Sequence, residues 1–307
     1  MAAKRRNAFV VLLGSLLGLL ALVLGGAWAS ANSKLHQHYT VPQALLTAVD
    51  PTPTPALLAH GRSVAVADGC THCHGDNMGG KDLGETKMLG TVPASNLTRG
   101  GPARTVAQWA LGVRHGIRRD GTSLINMPSE VFVDMSDEDL GAIIAYANSL
   151  PPVTTPVPER SIDFKGHLIL AMNMLPMAAA DTRHDVKPAV IPPGVSVERG
   201  RYRTRLCTIC HASDLGGLSP GFSLSPGSNL TPSGDLGGWT EAGFVHTMRT
   251  GETPSGRKLD ANHMPWPTFK DLSDEDMRSI WAYLHSLPPS TRQQPKAGAK
   301  AAARPAA

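Results

Sequence analysis

The chain carries the pattern Cys-x-x-Cys-His twice, as Cys70-Thr71-His72-Cys73-His74 and again 137 residues later as Cys207-Thr208-Ile209-Cys210-His211. These motifs use all four cysteines. The same offset returns further along, where Met127-Pro128 matches Met264-Pro265 and Ser149-Leu150-Pro151-Pro152 matches Ser286-Leu287-Pro288-Pro289. Between these anchors the register slips and recovers. Asn96-Leu97-Thr98 pairs with Asn229-Leu230-Thr231 at 133, and Gly116 and Gly121 pair with Gly251 and Gly256 at 135. Loops of unequal length between matched helices produce such slips. The sequence therefore predicts two copies of one domain, residues 56–152 and 194–290.

Each copy reads as three short helices. The first precedes the cysteine pair, over residues 56–67 and 197–206, with Gly61 and Gly200 placed to let another helix approach. The second begins at Thr105 or Thr240, both good N-caps. The third opens with Ser136-Asp137-Glu138-Asp139 or Ser273-Asp274-Glu275-Asp276, which fit a capping box. Leu140, Ile143, Ile144, Ala147 and Leu150 then share one face, as do Met277, Ile280, Trp281, Leu284 and Leu287. Aromatics are only 5% of the chain and alternating strand patterns are missing, so the expected fold class is all-α. Residues 153–193 form a Pro-rich linker whose apolar patch, 168–177, is too short to cross a bilayer and is expected to cover one domain or the seam between them.

The N-terminus has a different character. After Lys4-Arg5-Arg6, residues 8–29 carry no charge. At 1.5 Å per residue that helix spans about 33 Å, enough for the ~30 Å hydrocarbon layer. The positive flank stays cytoplasmic, which sends everything after residue 30 to the outer side. Residues 1–31 are read as a single-pass inner-membrane anchor, followed by a linker at 32–55 and the two repeated domains on the periplasmic side. A cleaved signal peptide is the alternative, because Ala29-Ser30-Ala31 resembles a cleavage site. The basic tail, 291–307, is expected to be disordered. Its Arg292, Lys296, Lys300 and Arg304, with the three N-terminal cations, exceed the net charge of +4 and leave the body at −3. Nothing here describes a nucleic-acid surface, which needs cations gathered on a folded face.

Cys-x-x-Cys-His is the attachment sequence of heme c. Two thiols on one helical turn meet the two porphyrin vinyl groups and form thioethers, and the adjacent histidine then sits under the ring to ligate iron. Other uses of the cysteines explain less. A four-cysteine zinc site would ignore two identically placed histidines and join halves that each look complete. A redox dithiol needs a βαβ context, and simple disulfides also ignore the histidines. The expectation is two covalently bound hemes c, attached at Cys70, Cys73, Cys207 and Cys210, with His74 and His211 as iron ligands.

The sixth ligands follow by subtraction. Met127 and Met264 each lie 53 residues beyond the motif histidine, before proline and after a glycine-rich loop. Other methionines fail the test of repetition. Met78 matches Leu215, Met135 matches Leu272, Met88 has no methionine counterpart, and Met172, Met174 and Met177 lie in the linker. His115, His246, His263 and His285 align with non-histidines, and His36, His38, His60, His167 and His184 lie outside the repeated positions. All are read as surface or packing residues, with His263 beside Met264 the first to examine.

Each copy resembles a class I cytochrome c domain. Asn-Leu-Thr after the motif, the Gly-flanked loops at 116–121 and 251–256, and Met264-Pro265-Trp266-Pro267-Thr268-Phe269 ahead of the last helix narrow the resemblance. Together they resemble the multiheme cytochrome c subunits of membrane-bound alcohol, gluconate and nicotinate dehydrogenases. Copy one departs with Ser129-Glu130 where copy two has Trp266-Pro267. Two motifs and an N-terminal anchor stand where those subunits usually have three hemes and a C-terminal anchor. The resemblance implies a non-enzymatic electron carrier with a dehydrogenase donor and a cytochrome or oxidase acceptor. A diheme peroxidase would need one open iron position, which the matched methionines argue against. A cytochrome subunit of a terminal oxidase complex would have the same chemistry with another partner.

Overall fold

The computed structural model describes residues 2–46, 49–83, 89–217 and 227–290. Met88 and the tail 291–307 lie outside the described residues. The chain opens with a long helix, α1 (Ala2–Leu35). The first repeat supplies α2 (Pro55–Ala67), α3 (Cys70–His74), the two-residue strand β1 (Gly90–Thr91), α4 (Val106–His115), α5 (Ser129–Phe132) and α6 (Asp137–Ser149). The linker holds β2 (Ser161–Ile162), α7 (Phe164–Ala171) and α8 (Ala178–Asp181), so it is ordered and partly helical. The second repeat supplies α9 (Val197–Arg203), α10 (Thr208–His211), α11 (Glu241–Thr250) and α12 (Asp274–Ser286).

The helix starts follow the sequence signals. Thr105 and Gln108 form a full capping box at α4, and Thr240 Oγ1 accepts from Gly243 N at α11. Ser136 and Ser273 accept from the backbone N–H of Asp139 and Asp276 at 3.1 and 3.0 Å. Each cap satisfies one of the orphan donors of a first turn. At their other ends α4 and α11 stop at Gly116 and Gly251, both left-handed with φ of 64° and 73°. That conformation costs a side chain energy and costs glycine none.

Two compact units emerge. The first gathers Met1–Pro51, Thr71–Met135 and Ala147–Pro188. In it α7 lies along the end of α1. Ala31 and Leu35 are buried with Leu89, Val92, Ile125, Leu170 and Met177, and Trp28 stacks on His167 at 3.7 Å. Lys34 Nζ donates to Leu170 O and Asn173 Oδ1 at 2.8 and 2.7 Å. The linker patch thus packs on the last turns of α1 and on the first repeat. β1 and β2 pair antiparallel, Gly90 opposite Ile162.

The second unit gathers Thr52–Cys70, Ser136–Tyr146 and the described chain from Ala189 onward. In it α2 crosses α6 where Gly61 faces Ala142 and Tyr146, and α9 crosses α12 where Gly200 faces Ser279 and Tyr283. The two crossings are copies of each other, displaced by 137 on α6 and α12. Leu215, Leu236, Phe244, Met248, Phe269, Leu272, Met277, Ile280 and Leu284 form the apolar core beside α9 and α11.

Candidate heme sites

The second motif begins where α9 tightens into a 3₁₀ turn, Arg205–Cys207, and continues into α10. Cys207 and Cys210 therefore lie one helical turn apart, with His211 at the end of that turn. Cys207 and Met264 both pack against the apolar core just described. His211 is buried, and its Nδ1 lies 2.7 Å from the carbonyl oxygen of Ser228. A carbonyl only accepts, so Nδ1 carries the proton and Nε2 keeps its lone pair. Burial lowers the pKa of His211 and favours the neutral ring that a metal requires.

The loop that supplies this carbonyl passes very close to the motif. Gly227 N donates to Cys210 O at 2.8 Å, and a Cβ at position 227 would sit 2.6 Å from His211 Nδ1. Only glycine fits there. Asn229 then pins the loop, its Oδ1 accepting from Thr231 N and Oγ1 at 2.8 and 2.7 Å, while Leu230 N donates to Leu215 O at 2.8 Å.

The first repeat builds the same arrangement. His74, half-buried, has Nδ1 at 2.7 Å from Ser95 O. Asn96 Oδ1 accepts from Thr98 N and Oγ1 at 2.9 and 2.8 Å, and Leu97 N donates to Met78 O at 2.8 Å. Left-handed residues recur in register after the motif: Gly75 with Ala212, Met78 with Leu215, Gly80 with Gly217. Burial again lowers the pKa of the motif histidine. Met78 and Leu215 are both fully buried, which fits the apolar role assigned to that position.

These donors fit heme c. Each copy offers two thiols and one oriented imidazole on a single turn, which is the set that thioether attachment and axial ligation need. The competing readings do not find their geometry. No disulfide joins any of the four cysteines. Among the described residues no three His, Cys, Asp or Glu side chains come together as a metal site. Burial pushes the Cys207 thiol up to about 12, and Cys210 also upward, the opposite of a reactive dithiol.

Met127 and Met264 are both half-buried, each just ahead of a short helical turn. Ser129 N donates to Met127 O at 2.8 Å and Trp266 N to Met264 O at 2.7 Å. The loops leading to them are tied alike, Leu124 N to Gly116 O at 2.6 Å and Leu259 N to Gly251 O at 2.7 Å. The loops differ in what covers the glycine. At Gly251 it is the indole of Trp266, and at Gly116 it is Ala178 and Ala179 of α8. Linker residues thus stand in for the tryptophan that copy one lacks, a substitution that no local pattern announces. His263 is exposed and its Nδ1 pairs with Asp260 Oδ2 at 2.7 Å, in keeping with a surface role. The Ser95 and Ser228 carbonyls were not singled out by sequence, although each directly precedes the repeated Asn-Leu-Thr.

Two tandem helical repeats, each with a thiol pair and a carbonyl-oriented histidine on one turn, define a class I cytochrome c arrangement. The cytochrome c family pattern matches residues 58–151 and 199–288, and the chain belongs to that family. The family carries covalently bound heme c and transports electrons. The chain is similar to the cytochrome subunit of fructose dehydrogenase from Gluconobacter japonicus, 26% identical over 78% of this chain and 55% of that one. It is 29% identical to the cytochrome c subunit of alcohol dehydrogenase (quinone) from Gluconacetobacter polyoxogenes, over 79% of this chain and 59% of the other. A nicotinate dehydrogenase subunit from Pseudomonas putida is 28% identical over 76% of this chain and 21% of its own length. The chain thus spans little more than half of the first two.

Proposed function

We propose that the chain is a membrane-anchored electron carrier with two c hemes, one joined to Cys70 and Cys73 between His74 and Met127, the other joined to Cys207 and Cys210 between His211 and Met264. The observation that carries this reading is the repeated bond from each motif histidine to a backbone carbonyl, 2.7 Å in both copies, which puts the proton on Nδ1 and leaves the Nε2 lone pair for a metal, on the turn that carries two thiols. Bound heme c supplies an iron that exchanges single electrons between Fe(III) and Fe(II). His74 and His211 would ligate the iron with a fixed tautomer, and Met127 and Met264 would each offer it a soft thioether sulfur. Thioether ligation favours Fe(II) and raises the reduction potential over two imidazoles. Ligation by both a histidine and a methionine would leave no place on the iron for substrate, so the chain would transfer electrons and leave turnover to a partner. Residues 56–152 and 194–290 serve as the two heme domains.

The relatives' names, subunits of sugar, alcohol and nicotinate dehydrogenases, favour a dehydrogenase as donor and a respiratory cytochrome or oxidase as acceptor. α1 is long and apolar enough to cross a membrane from Phe9, with Lys4-Arg5-Arg6 on the cytoplasmic side, and the heme domains lie in the periplasm. Burial of Ala31 and Leu35 in the first unit, with Trp28 stacked on His167, supports retention of the segment. A cut after Ala31 would strip residues from a folded core.

The ligand assignment is tested by replacing Met127 or Met264 with Ala. Each variant should lose about half of the Fe–S charge-transfer absorption at the red end of the spectrum, since that band marks Met ligation in each site independently. Unchanged absorption in both variants refutes the assignment. A heme-stained gel of membrane and soluble fractions, with the intact mass, checks heme number and anchoring.

A further inference from the structure

In the second unit the residues just ahead of the two motifs meet one another. Asp68 stands two positions before Cys70, and Arg205 two positions before Cys207. They are counterparts in the repeat, and they form an ion pair with each other, both less than a tenth exposed. Gly69 and Leu206, the next pair of counterparts, also face each other: a Cβ on Gly69 would lie 3.7 Å from the Leu206 side chain. In a duplicated arrangement, a residue meets its own counterpart only on the axis relating the copies. Each motif's first cysteine is thus one peptide step, about 3.8 Å, from that axis contact.

A buried network surrounds the contact. Arg203 donates to both Asp139 and Asp276, at 2.5 and 2.9 Å, and these two carboxylates are themselves counterparts. Tyr202 OH donates to Asp139 Oδ2 at 2.6 Å, and the Arg205 guanidinium lies 4.1 Å from the Tyr202 ring. Asp68, Asp139, Glu275 and Asp276 face Arg199, Arg203 and Arg205, so the network is neutral when His60, on Asp139, carries its proton. Opposite charges at counterpart positions also set the pairing. Two copies of the first repeat would bring Asp68 against Asp68, and two copies of the second Arg205 against Arg205.

We infer that this contact is the junction at which an electron crosses between the two hemes, with Asp68 and Arg205 as positioning residues that clamp the motif ends together and cancel each other's charge there. The inference rests on the two-heme reading above. The step moves one electron: one iron is oxidised from Fe(II) to Fe(III), the other is reduced, and no bond or proton changes.

The test uses the full chain with both hemes, extracted in detergent, in the variants Asp68→Asn, Arg205→Gln, the double variant and Leu206→Ala. Potentiometric titration should show both potentials raised in Asp68→Asn, where Arg205 loses its nearest counter-charge and keeps only Asp139, at 3.9 Å. They should fall in Arg205→Gln and return toward wild type in the double variant. A purely structural role would not give shifts of opposite sign. Leu206→Ala keeps the charges and loosens the contact, so it should slow electron re-equilibration between the hemes after flash photoreduction, and it carries the test if the charge variants do not accumulate. Potentials that stay put or move the same way in both charge variants, or an unchanged re-equilibration rate in Leu206→Ala, overturn the junction. Fewer than two hemes per chain by pyridine hemochrome would instead sink the two-heme reading on which it rests.

Discussion

The helix crossings at Gly61 and Gly200 make a demanding prediction. An alanine Cβ at position 61 would lie 2.5 Å from the carbonyl carbon of Ala142 and 2.9 Å from Tyr146 Cβ. At position 200 the corresponding distances are 2.5 Å to the Ser279 carbonyl carbon and 2.7 Å to Tyr283 Cβ. Carbon atoms settle at about 3.5–4.0 Å, so each pair of helices must part by roughly 1 Å, and the obstacle is backbone that no rotamer change can move. Overpacking a close-packed core typically costs ~1–3 kcal/mol. Rigid neighbours place both variants near the upper end, about 3 kcal/mol, offset by no more than about 1 kcal/mol of improved helix propensity. Gly112 is the internal control. It lies inside α4, and a Cβ there would have its nearest neighbour, Ile117 O, at 4.0 Å. Gly112→Ala should stabilise by ~0.5–1 kcal/mol through helix propensity alone. Guanidinium unfolding followed by near-UV circular dichroism would read all three as shifts of midpoint at constant slope. Gly200→Ala within about 0.5 kcal/mol of wild type would refute the crossing, because that is the range of a neutral surface change.

Three other outcomes follow from the same structure. Arg203→Leu leaves Asp139 and Asp276 buried without their shared cation and should cost about 3–5 kcal/mol in denaturant unfolding; a cost below about 1 kcal/mol would mean that the network is dispensable. The hydrogen bond to Asp139 raises the pKa of His60, opposed by burial, so this pair stabilises fully below about pH 6.5 and loses its contribution as pH rises through the elevated value. Burial alone would raise Asp139, but the hydrogen bond from His60 and the charge of Arg203 outweigh it and hold the carboxyl below its usual range, so its contribution is lost only in acid. Thermal unfolding from pH 6 to pH 9, about the ordinary His pKa, should therefore decline in wild type and flatten in His60→Gln; parallel curves would exclude the linkage. Asn229→Leu removes the acceptor of two buried donors of Thr231 and should cost ~1–3 kcal/mol, with a like cost for Asn96→Leu in the first repeat.

Much of this molecule is written in short stretches of chain. The Cys-x-x-Cys-His motifs, the Thr and Ser caps, the apolar faces of α6 and α12 and the left-handed glycines that end α4 and α11 all rest on interactions spanning a few residues, and a single sequence displays those directly. Duplication extended that reach, since it separated Met127 and Met264 from every unrepeated methionine. Tertiary structure alone decided that α7 lies along the end of α1, that Ala178 takes the place of Trp266 in the first repeat, and that Asp68 meets Arg205. Each of these contacts joins segments tens to more than a hundred residues apart, through packing and charge complementarity that leave no period or motif in the chain.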